Sequence, residues 1–479
     1  MTKKITGRLT LPAELNFSEE TKELLDKWGA DAIRDSDGTD LDEELLNLGV
    51  TNYSKYFVAR GDNEFALNHM EEAQQLFVRS DYHTATEETL TFEFMTGFLE
   101  EQIIPDFNHD PKEWWQVHNR TTGELVDVKD WSIDEKALTV TIQNTTPFHE
   151  YTVNILTYMI WDPTQMYNHI TNDWGDKPHE IPFDVRQPKS NAHMKTKLKA
   201  WLEANPKTDV VRFTTFYYHF TLFFNDKRKE KFVDWFGYGS SVSPRALEAF
   251  EEEYGYKLYA EDFIVEGAYN STFMPPTQAY KDYLDFQQRF VTQEAKELVD
   301  LVHEYDKEAI MFLGDNWIGT EPYGKYFKDI GIDAVVGSVG GGLTMRLISD
   351  IPHVKYTEGR FLPYFFPDTF YEGNDPTIEG VENWITARRA IMRKPLSRIG
   401  YGGYPSLAYK FPEFVDFVSE TADEFREIIS NIENKTVHSR AKVAILNAWG
   451  KLRTWQAFMV AHALHYKQIY SYLGVLESL

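Results

Sequence analysis

The chain contains four short β-like runs between residues 308 and 403, which read EAIMFLG (308–314), DAVVGSV (333–339), VKYTEGRF (354–361) and SRIGYGG (397–403). Stretches with helical spacing separate these runs. Strands that alternate with helices in this way are typical of a parallel sheet with crossover helices. This part of the sequence therefore predicts an α/β fold.

Further runs of the same kind extend the pattern toward the N-terminus. They are ADAI (30–33), TNYSKYFVAR (51–60), YTVNILTYMIW (151–161) and DVVRFTTFYYHF (209–220). Apolar spacing predicts helices over about 191–203 and 276–305, and a long helix that contains Phe414 and Ile428. The number of strands approaches that of a distorted (β/α)8 TIM-like barrel.

Two departures from this pattern predict the domain organisation. Between about residues 89 and 145 the chain reads as hairpins around a TTGE turn, which predicts an antiparallel β insertion in a barrel domain of residues 1–433. A polar linker is expected over 434–441. Residues 442–479 then begin a strand and a helix that cannot bury their apolar faces alone, so we expect them to be the truncated start of a second α/β domain.

The composition excludes several classes of protein. Hydrophobic residues make up 42% of the 479 residues, which argues against disorder, and the absence of cysteine rules out a disulfide scaffold or a cysteine nucleophile. A net charge of −26 argues against nucleic acid or an anionic membrane as a partner. Because the sequence lacks a secretory signal and any long apolar run, we expect a cytoplasmic protein.

Three arginines and one aspartate follow strand-like runs: Arg34, Arg212, Arg360 and Asp315. The carboxyl ends of barrel strands converge on one face, so a clamp for a phosphate or carboxylate explains the arginines. Asp315, next to Trp317, would act as a general acid with a raised pKa. The alternatives are a surface pair of Arg34 with Asp35 or Asp37, a buried salt bridge of Arg212, and a helix cap at Asp315.

The segment WDPTQMYNHITNDW (161–174) places acids and amides beside tryptophans, as recognition of sugar hydroxyls requires. His169 lacks the partner spacing of a metal site, so a structural role is expected for it. GSVGGGLT (337–344) lacks the spacing of a nucleotide-binding loop, although Ser338 and its glycines leave room for a ligand at a strand end. No metal and no cofactor are expected.

Six blocks of the sequence together resemble the galacto-N-biose/lacto-N-biose phosphorylases of glycoside hydrolase family 112. The blocks are RDSDGT (34–39), WDPTQMYNHITNDW (161–174), VVRFTTFYYHFTLFF (210–224), DWFGYG (234–239), LGDNWIGTEPYG (313–324) and EGRFLPYFFPDTF (358–370). The resemblance implies phosphorolysis of a β-galactoside with inversion, which gives α-D-galactose 1-phosphate and a free acceptor sugar. Inorganic phosphate would be a substrate and not a cofactor.

The resemblance also implies roles for individual residues. Asp315 would be the general acid. The phosphate would be bound by Arg34, Arg212 and Arg360 with help from Tyr364. Sugar contacts would come from Asp162, Thr164, Asn168, Trp235, Ser338 and Phe366, among which Thr164 and Ser338 would bear on the choice of acceptor. The expected acceptor is N-acetylhexosamine in a β-1,3 linkage, with L-rhamnose in a β-1,4 linkage as the alternative.

Two functions of other classes stay open at this point. A retaining β-galactosidase would need a second carboxylate about 5–5.5 Å from Asp315, for which Glu321 or Glu358 are candidates. A sugar-binding protein without catalysis would bind the ligand but not turn it over. The sequence also leaves open whether the full-length protein is a homodimer.

Overall fold

A computed structural model describes most of the chain. The described residues are 6–35, 41–162, 169, 174–214, 216, 221–234, 242–265, 268–269, 277–313, 324–339, 342–349, 351–361, 369–433 and 435. Those within segments 1–57, 197–215 and 292–479 form a barrel unit, and those within 58–196 and 216–291 form a β-sheet unit. The expected second domain at 442–479 lies outside the described residues, as does its linker apart from Lys435.

The barrel unit contains a closed barrel of eight strands in the order of the chain. The strands are β1 (Leu9–Ala13), β2 (Ala32–Asp35), β3 (Thr51–Tyr56), β4 (Val210–Thr214), β5 (Glu308–Leu313), β6 (Ala334–Val339), β7 (Tyr356–Phe361) and β8 (Arg398–Tyr401). All neighbours are parallel, and β1 pairs with β8 to close the ring. The predicted TIM-like barrel is confirmed.

The described helices of both units are numbered in the order of the chain. They are α1 (Ser18–Trp28), α2 (Glu43–Leu46), α3 (Asn63–Asn68), α4 (Pro111–Trp114), α5 (Pro188–Ala204), α6 (Pro244–Tyr254), α7 (Ala260–Phe263), α8 (Gln278–His303), α9 (Gly342–Ser349), α10 (Pro376–Arg393), α11 (Pro405–Ala408) and α12 (Pro412–Ile432). In the part of the chain that the structure describes, 3-10 helices span Met70–Glu72, Val128–Asp130 and Gly324–Asp329. The three helices predicted from apolar spacing correspond to α5, α8 and α12.

Packing of α1 and α12 fixes the place where the barrel closes. The Trp28 side chain at the end of α1 is fully buried, its Nε1 donates to the Val415 carbonyl at 2.9 Å, and its ring lies 5.3 Å from that of Tyr401 on β8. Arg426 on α12 donates to the carbonyl oxygens of Trp28 and Gly29. Loss of such a buried tryptophan typically costs about 3–5 kcal/mol. These contacts hold the end of β8 beside β1.

The β-sheet unit is built on one long strand, Glu150–Met159. This strand pairs antiparallel with Gln75–Arg79, His83–Thr84, Ile103–Pro105 and Gln116–Asn119, and Glu124–Leu125 pairs with the last of these. A second sheet contains Thr89–Glu93, Thr139–Gln143 and Trp131–Asp134. Two hairpins join Thr221–Phe224 with Glu230–Asp234 and Ile264–Val265 with Ala268–Tyr269. A large apolar core, which includes Phe94, Val153 and Tyr283, supports the unit.

The structure corrects the sequence-based strand assignment in two places. YTVNILTYMIW was predicted as a barrel strand, but it forms the central strand of the β-sheet unit, where nine of the ten residues Glu150–Met159 are buried. A continuous apolar run fits a strand covered on both faces in either setting. The missing barrel strand is LTLPA (9–13), in which Pro12 made the run unlike a strand because proline cannot donate to a sheet.

The antiparallel region is wider than residues 89–145, since its strands run from Gln75 to Met159. Among the described residues, none of the helices has the length and apolar content that crossing a bilayer demands.

Candidate functional site

The barrel interior is lined by residues that alternate along the strands. Its buried cluster consists of Ala32, Tyr53, Val210, Ile310, Ala334 and Val336, with Phe312 and Tyr356 packed against it. Because successive side chains of a strand point to opposite faces, residues two positions further along point inward as well. By this alternation Arg34, Lys55, Arg212 and Arg360 face the interior near the carboxyl ends of β2, β3, β4 and β7.

These cationic side chains are almost completely removed from solvent. Arg34, Arg212 and Arg360 are 5%, 2% and 7% exposed, and the Lys55 side chain is 13% exposed. Charges at such depth must be compensated by other charges or hydrogen bonds. The alternative in which Arg34 forms a surface pair with Asp35 or Asp37 is therefore wrong, since its side chain is buried.

Arg212 and Arg360 both lie near the same aromatic ring, that of Phe312. The guanidinium carbon of Arg360 is 4.0 Å from the Phe312 ring centroid and that of Arg212 is 5.9 Å from it, so the two carbons lie within about 10 Å of each other. Two unit charges at that distance repel by roughly 1.5–2 kcal/mol at an effective dielectric constant of about 20. A bound anion between them would turn this repulsion into attraction.

Asp35 connects the cations on three strands. Its carboxylate accepts hydrogen bonds from the Lys55 amide N at 2.8 Å and from Lys55 Nζ at 3.4 Å. The same carboxylate lies 3.7 Å from Arg212 Nη2. Its main-chain carbonyl accepts from Arg34 Nη1 at 3.0 Å. Thus one residue at the end of β2 contacts Arg34, Lys55 and Arg212.

Arg34 also reaches the carboxyl end of β8. Its Nη2 donates to the carbonyl oxygens of Tyr401 at 3.4 Å and Gly402 at 3.5 Å. In the sheet, Arg360 is the Cα partner of Gly400, the residue before Tyr401. The side chain of Arg34 and the backbone of Arg360 therefore approach the same end of β8, and the three arginines converge on one mouth of the barrel as predicted.

The layer beneath the arginines is a polar network around Glu358. Its carboxylate accepts from Thr10 Oγ1 at 2.8 Å and lies 3.5 Å from Arg398 Nε. Arg398 in turn donates to Asp31 at 2.6 Å. Burial alone would raise the pKa of Asp31, but the Arg398 guanidinium holds it below its usual value. A Cβ on Gly400 would lie 2.7 Å from Glu358 Oε1, so a larger residue at this position would force the carboxylate to shift.

A polar cavity of 720 Å³ opens at the amino ends of the strands, and Tyr53, Tyr356 and Glu308 are among the residues that line it. The Tyr356 hydroxyl donates to Glu308 at 2.9 Å, and the Tyr53 hydroxyl lies 3.4 Å from that of Tyr356. Burial raises the pKa of both tyrosines, which stay neutral. The carboxyl half of the strands carries Arg34, Lys55, Arg212 and Arg360 but, as acidic residue, Asp35. The positive charge of the strands is therefore concentrated at the end of the barrel opposite to this cavity.

The remaining predicted residues of the barrel unit follow the carboxyl ends of its strands. Ser338 on β6 is the Cα partner of Arg360. Asp315 comes two residues after β5 ends at Leu313, and it lies outside the described residues. Five other predicted site residues also lie outside the described residues. They are Thr164, Asn168, Trp235, Tyr364 and Phe366.

Asp162 belongs to the β-sheet unit and is buried there. Its Oδ1 accepts from Arg60 Nη1 at 2.6 Å, so one carboxylate oxygen already binds a cation. The neighbouring Trp161 ring stacks on His179 at 3.6 Å and meets the His169 ring edge-on at 5.2 Å. Burial lowers the pKa of His169, which is neutral at pH 7. A sugar contact by Asp162 stays a prediction.

Sequence reasoning overlooked Lys55 and gave Asp35 only a surface role. The signal was present in TNYSKY, because Lys55 follows the interior residue Tyr53 by two positions. Among the described residues no group of three or more histidine, aspartate or glutamate side chains has the arrangement of a metal site.

Comparison with known protein families agrees with the barrel fold. Residues 7–440 match the model of the lacto-N-biose phosphorylase N-terminal TIM barrel domain, and residues 442–479 match that of the lacto-N-biose phosphorylase central domain. The second match covers the segment in which the start of another domain was expected.

Similar proteins include two named as 1,3-beta-galactosyl-N-acetylhexosamine phosphorylases. The chain is 56% identical to one from Bifidobacterium longum subsp. longum, over 99% of this chain and 63% of the relative. It is 53% identical to one from Lachnoclostridium phytofermentans, over 100% of this chain and 66% of the relative. A D-galactosyl-beta-1->4-L-rhamnose phosphorylase of the same organism is 40% identical, over 95% of this chain and 64% of that protein.

The chain thus spans between 63% and 66% of the length of these relatives. The family model of the barrel domain matches most of the chain, and the identities extend over nearly all of it. The chain belongs to the lacto-N-biose phosphorylase family.

Proposed function

We propose that the full-length protein cleaves galactosyl-β-1,3-N-acetylhexosamine with inorganic phosphate, and that it releases α-D-galactose 1-phosphate and free N-acetylhexosamine. The observation that carries this proposal is the convergence of Arg34, Arg212 and Arg360 in the barrel interior of a chain whose net charge is −26. A local excess of buried cations in an acidic protein is matched to an anionic substrate.

Phosphate is the nucleophile in this scheme, so one protonated group is enough. An inverting hydrolase needs a base to activate water, whereas phosphate is already anionic and has only to be held in line with the departing oxygen. The arginines would offset the loss of phosphate hydration. Asp315, which follows β5, would protonate the glycosidic oxygen as the anomeric carbon gains positive charge.

The sugar contacts are part of the same proposal. Tyr364 would assist the arginines with phosphate, and Asp162, Asn168, Trp235 and Phe366 would contact the sugars. Thr164 and Ser338 would influence the acceptor. The backbone pairing of Ser338 with Arg360 supports its place near the anion, because residues paired across adjacent strands are neighbours.

The retaining hydrolase is less consistent with the barrel interior. Glu358, one of its candidate nucleophiles, accepts a hydrogen bond from Thr10 and lies beside Arg398 in the layer beneath the arginines. The carboxylate is therefore already engaged, and three arginines would have no role in hydrolysis. Glu321 lies outside the described residues.

The decisive experiment measures the products of the full-length protein with and without inorganic phosphate. Galactosyl-β-1,3-N-acetylglucosamine should yield galactose 1-phosphate only when phosphate is present, and the anomeric coupling in the proton NMR spectrum should be that of the α anomer. Free galactose formed equally well without phosphate would contradict the proposal. A panel of acceptors in the reverse reaction should rank N-acetylhexosamines above L-rhamnose, and the opposite order would assign the rhamnose activity.

Separate measurements address the cofactor, the cellular location and the oligomeric state. We propose that disaccharide and phosphate are the only ligands needed, because phosphate supplies the nucleophile and Asp315 the proton. Activity should therefore survive dialysis against a chelator. The proposed setting is the cytoplasm, where phosphate and sugar phosphates are retained, and cell fractionation tests this. Size-exclusion chromatography of the full-length protein tests whether it is a homodimer.

A further inference from the structure

Lys55 is a fourth cation in the barrel interior, and its position links it to the predicted phosphate site. In the sheet, Lys55 on β3 is the Cα partner of Arg212 on β4, and Tyr53, two residues earlier on β3, is the partner of Arg34 on β2. Its strand therefore lies between the strands of two arginines of the site. The Lys55 side chain is 13% exposed, so its charge is largely desolvated.

The same carboxylate contacts Lys55 and Arg212. Asp35 Oδ2 lies 3.4 Å from Lys55 Nζ, and Asp35 Oδ1 lies 3.7 Å from Arg212 Nη2. Asp35 also accepts from the Lys55 amide, and its own carbonyl accepts from Arg34. A carboxylate between like charges reduces their repulsion and fixes their positions before a ligand arrives.

A purely structural salt bridge is the competing explanation. Beneath the level of the three arginines, Arg398 already forms such a structural arrangement, since it meets Asp31 at 2.6 Å and Glu358 at 3.5 Å. Lys55 and Asp35 differ in that they lie at the carboxyl ends of their strands, in contact with residues of the anion site. Their placement fits ligand binding better than closure of the barrel.

We propose that Lys55 is a fourth phosphate-binding residue of this site and that Asp35 is the positioning residue that holds Lys55 and Arg212 in place. The inference rests on the proposed function for the identity of the anion. The Lys55 ammonium is a compact charge on a flexible side chain and can adjust its position to the phosphate, whereas the arginines supply directed pairs of donors. Asp35 acts through these cations and need not contact the phosphate itself.

The test uses the full-length enzyme with the variants Lys55→Met, Lys55→Arg and Asp35→Asn. Lys55→Met should raise the KM for phosphate roughly ten- to hundredfold, which is the range for one lost charge-assisted contact, and change the KM for the disaccharide by less than about twofold. Lys55→Arg should retain most of the phosphate affinity. Lys27→Met is the matched control, since Lys27 pairs with Asp416 at 2.6 Å on the surface, and it should leave both constants unchanged.

A double variant tests the positioning role. If Asp35 acts through Lys55, the combined variant Asp35→Asn with Lys55→Met should raise the KM for phosphate by less than the product of the two single effects. Independent, multiplicative effects would overturn the positioning role. A lower Tm of Lys55→Met with an unchanged KM for phosphate would show a structural salt bridge and overturn the phosphate-binding role.

Inorganic phosphate alone separates this inference from the proposed function. Phosphate without sugar should raise the Tm of the wild-type enzyme, and Lys55→Met should reduce that shift. If the wild type cleaves the disaccharide without phosphate, the proposed function fails, yet the Tm measurement still tests Lys55. If the wild type depends on phosphate and Lys55→Met behaves like it in both assays, only this inference fails.

Discussion

Replacement of Arg212 by methionine removes one buried cation from the barrel interior and keeps much of its side-chain volume. Arg212 is 2% exposed, lies 3.7 Å from the Asp35 carboxylate and is within about 10 Å of Arg360. If it binds phosphate, the variant loses a charge-assisted contact worth about 1.5–3 kcal/mol. That energy corresponds to a roughly ten- to hundredfold weaker affinity for phosphate.

The same change affects stability in two opposing ways. Removal of one partner from a buried pair costs about 3–5 kcal/mol, whereas relief of the repulsion between Arg212 and Arg360 returns roughly 1.5–2 kcal/mol. Lys55 remains beside Asp35 and limits the loss. We therefore expect the free energy of unfolding to fall by about 1–3 kcal/mol.

The assay varies phosphate at saturating disaccharide and then disaccharide at saturating phosphate, with galactose 1-phosphate as the measured product. Arg212→Met should raise the KM for phosphate far more than that for the disaccharide. Arg426→Met is the control, because Arg426 is equally buried but donates to the carbonyl oxygens of α1, and its loss should lower stability alone. An equal rise of both constants in Arg212→Met would refute a role in phosphate binding.

Three further changes test other parts of the site and fold. Asp315→Asn should lower kcat about 10²–10⁴-fold with an unchanged Tm, and near-normal turnover would refute its role as the acid. Burial raises the pKa of Asp184 to about 6, so the folded state binds a proton at this carboxyl more tightly than the unfolded state does. The stabilisation from this proton is fully present below about pH 4 and is lost as the pH rises through 6. The free energy of unfolding of Asp184→Asn, measured in urea, should therefore rise relative to that of the wild type by about 3 kcal/mol between pH 4 and pH 7.5. A difference between the two proteins that does not change with pH would contradict this. Gly400→Ala would place a Cβ 2.7 Å from Glu358 Oε1 and should cost about 1–3 kcal/mol in the same unfolding assay, whereas an unchanged value would show that Glu358 moves aside freely.

The barrel was predictable because seven of its strands are short β-like runs, most of them separated by helical spacing. The eighth, β1, contains Pro12, which cannot donate to a sheet, and only its partners β2 and β8 reveal it as a strand. YTVNILTYMIW had the same appearance as a barrel strand, because burial on both faces produces the same apolar run in a parallel and in an antiparallel sheet.

The arginines of the site were predictable from their positions after strand-like runs, since parallel strands of a barrel end at one mouth. Asp35 and Lys55 were not, because their roles depend on distances between β2, β3 and β4. Local sequence gives Arg34 two acids of equal plausibility within RDSD, Asp35 and Asp37. Only the register of β3 against β4 brings Lys55 beside Arg212.

The order of the chain in the barrel has a consequence for how the protein folds. β3 ends at Tyr56 and its neighbour β4 begins at Val210, so about 150 residues lie between two strands that pair directly. β1 and β8 are about 390 residues apart and also pair. Contacts between such distant segments form slowly, because a long loop must be closed before any pairing energy is gained. We therefore expect the ring of strands, and with it the cluster of arginines, to be completed late in folding.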